Sequence, residues 1–146
     1  MMPKPTNGIT FIDWNGDGYL ELFAEKGGFY HGDLYPSSFF LNETPRGNHY
    51  LFVDLSEDSR NRFAVGAGVT VQAGALKIYE EVTAGRGFGS TDPPTLHFGL
   101  GRNVRIDLLR VRWPDGTTVD YPSPPIDGRI RIRKGASSWT QVGRSG

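Results

Sequence analysis

The stretch Asp13-Trp14-Asn15-Gly16-Asp17-Gly18-Tyr19-Leu20-Glu21 places side-chain oxygens at alternating positions around glycines that allow a sharp bend. A hard cation such as Ca²⁺ takes roughly six to eight oxygen ligands, and this spacing offers several from one short segment. Asp13, Asn15 and Asp17 are the expected side-chain ligands, Tyr19 offers its carbonyl, and Glu21 closes the ring. The carboxylates in this short run repel one another unless something neutralises them. An EF-hand is excluded: the twelfth loop position is Ala24 rather than a carboxylate, and strand-like rather than helical sequence flanks the loop. The competing reading is an acidic hairpin turn, for which Asn and Gly are ordinary residues.

Other chemistry is sparse. His97 sits between apolar residues in TLHFGLG with no nucleophile pattern nearby, as a hydrogen-bonded strand histidine would. His31 and Asp33 either extend the metal shell or are solvated loop residues, and His49 merely opens a strand. The glycines of GRGFGS precede two prolines and a strand instead of a helix N-terminus, so a phosphate loop is excluded. Asn61 and Arg62 precede the small-residue run AVGAG and suggest a buried hydrogen-bonding role, with Arg62 pairing Asp92. A pair of carboxylates for glycoside hydrolysis can be drawn from Asp92, Asp107, Asp115 and Asp120, but spacing in sequence does not fix the separation that chemistry requires. Trp14, Tyr30, Tyr35 and Phe88 lie in loops or beside glycines, where an aromatic ring can stack on a sugar or fill a partner's pocket. Arg129, Arg131 and Arg133 alternate with isoleucine in GRIRIRK and so share one strand face, suited to an anionic glycan or to a merely soluble surface.

The elements that must position these residues are strands. Apolar–polar alternation recurs, and helical periodicity does not. GITFI and YLELFAE flank the acidic loop, and SSFFLNE follows. Then come HYLFVDL, AGVTVQA, LKIYEEVTA, PTLHFGLG, VRIDLLRVRW, TTVDYP and GRIRIRK, about ten strands in all. Pro114 and Gly116 in RWPDGTTV predict a three-residue hairpin loop with Gly116 in the left-handed region. The alternation of VRIDLLRVRW slips at Leu109-Arg110, which a β-bulge would repair. Ile130 and Ile132 should face inward. The expected fold is all-β: a β-sandwich or open barrel near residues 48–134, preceded by a small antiparallel, blade-like sheet. The expected division is 1–46, 47–136 and a tail at 137–146, with the boundary near NETPRGNH.

Two segments look like known families. FIDWNGDGYLELF resembles the calcium loop of FG-GAP/VCBS repeats, the blade units of integrin-type β-propellers, except that Glu21 replaces the final aspartate. That resemblance spans about residues 8–44, one blade's worth, and one blade cannot close a propeller. SRNRFAVGAGVTVQAG, GRGFGSTDPPTLHFGLG and LLRVRWPDGTTVDY resemble, in order, the three signature blocks of the ASPIC/UnbV domain, over about residues 48–134. Phe63 stands where that pattern usually has an acidic residue. The combination is similar to that in secreted proteins, including the cartilage acidic protein family. It implies an extracellular or cell-surface, calcium-associated binding or adhesion module with no established catalysis.

Bulk properties bound the rest. Zero formal charge gives no overall pull toward nucleic acid or membrane, and no segment is apolar enough for membrane insertion as a helix. Cysteine is absent, which removes disulfides and zinc–thiolate sites. Acidic residues dominate from Asp13 to Asp58 and basic ones from Arg102 to Lys134, as if two partners were served. The leading expectation is a noncatalytic, Ca²⁺-stabilised recognition module binding a glycan or a protein surface. A structural segment that self-associates through exposed strand edges is the alternative. A calcium-dependent glycan-active enzyme is a third reading.

Overall fold

The computed structural model describes residues 6–27, 31–32, 35–85 and 91–143. Among them are eleven strands and no helix. They are β1 (Thr6–Ile12), β2 (Glu21–Lys26), β3 (Ser38–Phe40), β4 (His49–Ser56), β5 (Gly68–Ala73), β6 (Leu76–Glu81), β7 (Thr95–Gly101), β8 (Leu108–Arg112), β9 (Thr118–Tyr121), β10 (Gly128–Arg133) and β11 (Thr140–Val142). They form three sheets, none closed into a barrel, in the orders β1-β2-β3, β11-β10-β4-β7 and β6-β5-β8-β9. The all-β expectation holds, and the sandwich rather than the barrel is what forms.

The chain divides into two compact units. One comprises Met1–Pro45 with Ala84–Pro93, the other Arg46–Thr83 with Pro94–Gly146. The segment between β6 and β7 is therefore assigned with the first unit, although it is threaded through the second in sequence.

The second unit holds the core. Alternation aims Leu51, Val53 and Leu55 of β4, Val69 and Val71 of β5, Phe98 and Leu100 of β7, Leu109 and Val111 of β8, and Ile130 and Ile132 of β10 into one buried cluster. Burying each such side chain contributes roughly 1.5–3 kcal/mol, the main favourable term set against the conformational entropy lost on ordering these strands. Trp113 and Tyr121 complete this core, and the Tyr121 hydroxyl donates to the Ala136 carbonyl at 3.2 Å. Burial raises the Tyr121 pKa.

Turn chemistry follows the sequence at the β8–β9 hairpin. Gly116 takes φ 87°, its amide donates to the Trp113 carbonyl at 2.9 Å, and the Trp113 amide donates to the Thr117 carbonyl at 2.8 Å. Only a residue without a Cβ adopts that φ readily. The expected bulge in VRIDLLRVRW is replaced by a simpler solution. The strand begins only at Leu108, and the preceding segment is anchored by the Asp107 amide donating to the Gln72 carbonyl at 2.8 Å. Ile106 is buried there without belonging to a strand, so the slip in alternation marks a strand start.

Residues 137–146 are not a simple tail. Thr140–Val142 pairs antiparallel with β10, setting Val142 opposite Arg129. Trp139 anchors this return: it packs against the core, and its Nε1 donates to the Pro122 carbonyl at 3.1 Å. A hydrophobic anchor outside any alternating run leaves no period-two signal, so the sequence pattern does not mark this strand.

Candidate functional site

The first unit carries the acidic loop as the connection between β1 and β2, whose register sets Ile12 opposite Glu21. The loop is closed on itself by its own side chains. Asp13 Oδ1 accepts from the Asp17 amide and Oδ2 from the Gly18 amide, each at 3.0 Å. Asn15 Oδ1 also accepts from the Asp17 amide, at 3.1 Å, and Asp17 Oδ1 accepts from the Tyr19 amide at 2.9 Å. These are Asx-type turns, in which a short acceptor side chain satisfies amides two to five residues ahead. Gly18 makes the bend at φ 89°.

Glu21 differs from the rest. Its side chain is almost fully buried, and Oε2 accepts from the Trp14 amide at 2.8 Å. Its other oxygen, Oε1, is buried with no hydrogen-bond partner. A buried carboxylate oxygen left unsatisfied costs free energy, so its position calls for a cation or a donor.

All of the oxygen types that a hard cation requires are therefore present in one loop, and one of them is orphaned. They are only partly gathered. Among the described residues, no group of three or more His, Cys, Asp or Glu side chains lies close enough together to hold a metal ion. The donor chemistry fits Ca²⁺; a complete shell requires the loop to draw its carboxylates together.

Around this loop, the sheet is apolar on both faces. Cross-strand register puts Ile9 beside Ala24, and Leu22 between Phe11 and Phe40, on one face. Thr10, Phe23 and Phe39 share the other, where the Thr10 hydroxyl donates to Asp92 Oδ1 at 2.9 Å. Trp14 is 72% exposed and meets Phe39 edge-on, with ring centroids 6.1 Å apart. Tyr35 is exposed as well, and so is His31. Phe88, Tyr30 and Asp33 lie outside the described residues, as does most of GRGFGS.

The arginine face is built by β10 lying parallel to β4, which sets Arg131 beside Asp54 and Arg133 beside Ser56. Arg129 grips Asp54 as a fork: Nε donates to Oδ2 and Nη2 to Oδ1, both at 2.9 Å. Thr95 donates to the same Oδ1 at 2.7 Å and accepts from Arg129 at 2.8 Å. Arg131 reaches Asp54 at 3.5 Å, and Arg133 pairs with Asp58. Lys134 bridges Asp115 at 2.8 Å and Glu57 at 3.3 Å. The hydrogen bond from Lys134, with further ones from Thr117, holds the Asp115 carboxyl well below the usual carboxylate range.

The last acids of the acidic front meet the basic rear within the second unit. Asp54, Glu57 and Asp58 neutralise much of the basic charge that follows Gly128. Asn61, not Arg62, plays the structural part expected of the pair. Its Nδ2 donates to the Val65 carbonyl and its Oδ1 accepts from the Val65 amide, both at 2.9 Å, while Arg62 is exposed. Phe63 is 62% exposed. His97 faces Phe52 across the β4–β7 ladder, its ring 4.8 Å from that of Phe52. One pair had no sequence signal: His49 Nδ1 lies 2.7 Å from Asp127 Oδ2, with 77 residues between them in the chain.

Fold and loop together define an all-β protein in which a β-sandwich accompanies a small sheet bearing an oxygen-rich hairpin loop. Its family follows from the sandwich. The ASPIC and UnbV family model matches residues 57–138, more than half of the chain, and the protein belongs to that family. A search of curated proteins found no match. The matched residues do not include the acidic loop.

Proposed function

We propose that this protein is a noncatalytic, extracellular recognition module whose N-terminal sheet is stabilised by Ca²⁺ in the 13–21 loop. The observation that carries the metal assignment is Glu21 Oε1, buried and unpartnered at the base of an all-oxygen loop. Asp13, Asn15, Asp17 and Glu21 would supply side-chain oxygens and Tyr19 its carbonyl, with water completing the shell. The resemblance of residues 8–44 to an FG-GAP/VCBS repeat supports the same assignment, and membership of the ASPIC and UnbV family supports the recognition role. Bound Ca²⁺ would supply charge neutralisation and rigidity, not chemistry. The partner is a glycan or an extracellular protein surface. Calorimetric titration with calcium should release or absorb heat with the native chain and give none with Asp17→Ala. Equal heats for the two would overturn the metal assignment.

One observation favours assembly as a second reading. Ile9, Phe11, Phe23, Phe39 and Phe40, all on the three-stranded sheet, are each more than one-third exposed. Exposed apolar surface of this kind marks association sites. Sedimentation at rising concentration should then show a dimer or larger species. A monomer throughout the range would leave recognition of a different molecule as the role of that sheet.

A further inference from the structure

The outer surface of the β6-β5-β8-β9 sheet carries an aromatic ring held in an unusual bed. Tyr79 of β6 pairs with Thr70 of β5, but its ring reaches diagonally across to Gly68. A Cβ placed on Gly68 would lie 2.3 Å from the Tyr79 hydroxyl oxygen, 2.6 Å from Cε2 and 2.7 Å from Cζ. The ring therefore occupies space that any other residue at 68 would claim. A glycine inside a strand often marks such a close approach, and this was the one sequence signal available.

Two charged groups fix the ring from either side. Register places Glu81 opposite Gly68 on one flank and Arg112 opposite it on the other. The Tyr79 hydroxyl donates to Glu81 Oε2 at 2.9 Å and accepts from Arg112 Nη2 at 3.2 Å. Arg112 and Glu81 also pair directly at 3.7 Å, with about half of each side chain in solvent. Tyr79 nonetheless remains 52% exposed. An aromatic ring fixed by a glycine below and two hydrogen bonds at its tip has lost most of its rotamer freedom before any partner arrives. That lowers the ordering cost of binding.

We propose that Tyr79, laid over Gly68 and bracketed by Arg112 and Glu81, is a stacking platform for a neutral pyranose sugar. The proposal rests on the recognition reading above and names its ligand class. An all-equatorial pyranose presents a flat face of C–H groups that packs on an aromatic ring, while its rim carries hydroxyls. Arg112 supplies donors and Glu81 acceptors at the ring's edge, as a rim of hydroxyls requires. Their opposite charges cancel, which favours a neutral sugar over a sulfated or uronic one. Replacing water on a partly exposed charged hydrogen-bonding pair with hydroxyls leaves no group unsatisfied.

The test uses the full chain, isotopically labelled, titrated separately with cellohexaose, xylohexaose, chitohexaose and a heparin hexasaccharide. At least one neutral oligosaccharide should shift the amide resonances of Gly68, Thr70 and Arg112 saturably. Tyr79→Ala should weaken that binding by roughly tenfold or more, the scale of a lost aromatic contact. Gly68→Ala should weaken it comparably by lifting the ring off its bed while leaving Tyr79 in place. Tyr79→Phe should keep most of it. Because Gly68 is in an inner strand, folding of that variant is checked by its amide spectrum, and Tyr79→Ala decides if it fails. No saturable shift with any neutral probe overturns the platform. So does binding that Tyr79→Ala leaves unchanged, although that result keeps the recognition reading intact. Stronger shifts at these residues with the heparin hexasaccharide overturn the neutral-sugar assignment. Calcium heats decide the metal reading separately, so the two can fail independently.

Discussion

The three-stranded sheet and the sandwich are made from similar strands, yet they treat apolar side chains in opposite ways. In β4 and β10 the inward positions are almost wholly buried; the outward ones carry arginines on β10, and Asp54, Ser56 and the aromatic Tyr50 and Phe52 on β4. In β1 and β3, Ile9, Phe11, Phe39 and Phe40 remain 42–55% exposed, and Ala24 is the only buried hydrophobic residue among the described part of that unit. The sandwich is held by its core. The small sheet is held by ladder hydrogen bonds and by a loop whose carboxylates and amide carbonyl tie down their own backbone amides. A region held by few buried side chains should gain more stability from a bound ion than one already held by a packed core.

Core truncation should separate the two most sharply. Trp113→Ala removes a nearly fully buried ring and should cost about 3–5 kcal/mol, whereas Phe11→Ala removes a half-exposed one and should cost well under about 1 kcal/mol. Urea unfolding followed by circular dichroism gives both numbers. Comparable losses would mean that Phe11 is packed far better than its exposure indicates.

Calcium should act in the reverse sense. A ligand that binds only the folded state at a hundredfold excess over Kd adds roughly 2.7 kcal/mol of stability. Hydrogen exchange should slow in β1, β2 and the loop between them on adding calcium, with the amides of β4, β5 and β8 unchanged. Uniform protection across both units would erase the contrast.

The smallest effect concerns pH, and it sharpens the comparison within the sandwich. Asp115 has its folded-state pKa depressed, so its contribution is present above the ordinary aspartate pKa and is lost as pH falls below about 4. Solvent screening at this exposed site keeps the loss small. Asp115→Asn should therefore narrow the gap between unfolding midpoints measured at pH 6 and at pH 3. An unchanged gap would show that the Lys134 bridge adds nothing to stability. Lys134 has its pKa raised chiefly by the hydrogen bond to Asp115, so its share persists below the ordinary lysine range and fades as pH rises through the raised value.

Much of the fold was legible because strands announce themselves locally. Alternation in GRIRIRK dictated buried Ile130 and Ile132 and exposed arginines, and Pro114-Asp115-Gly116 dictated its hairpin, since each depends only on neighbouring residues. Strand β11 had no such pattern: a short run is kept in place by Trp139 and Pro122, and only packing could reveal it. The candidate loop was legible in its residue types, because the oxygens lie within one hairpin. Its geometry was not. The sequence could not show that Asp13 and Asp17 turn toward backbone amides or that one Glu21 oxygen is left buried and alone.

By itself, then, the sequence determined the class of fold, most of its strands and the acidic hairpin, consequences of period-two alternation and turn chemistry acting over a few residues, while the ASPIC and UnbV blocks were legible only as a resemblance. The tertiary structure alone decided which acids meet which bases, which glycine lies beneath Tyr79, and which sheet leaves its large apolar side chains exposed. Asp54 and Arg129 are 75 residues apart in the chain, yet they form a fork because β4 and β10 lie parallel and adjacent. No local preference specifies that adjacency. It is fixed by the joint burial of Leu51, Val53, Ile130 and Ile132 in one core, and the charges on the outer face follow wherever that core sets them.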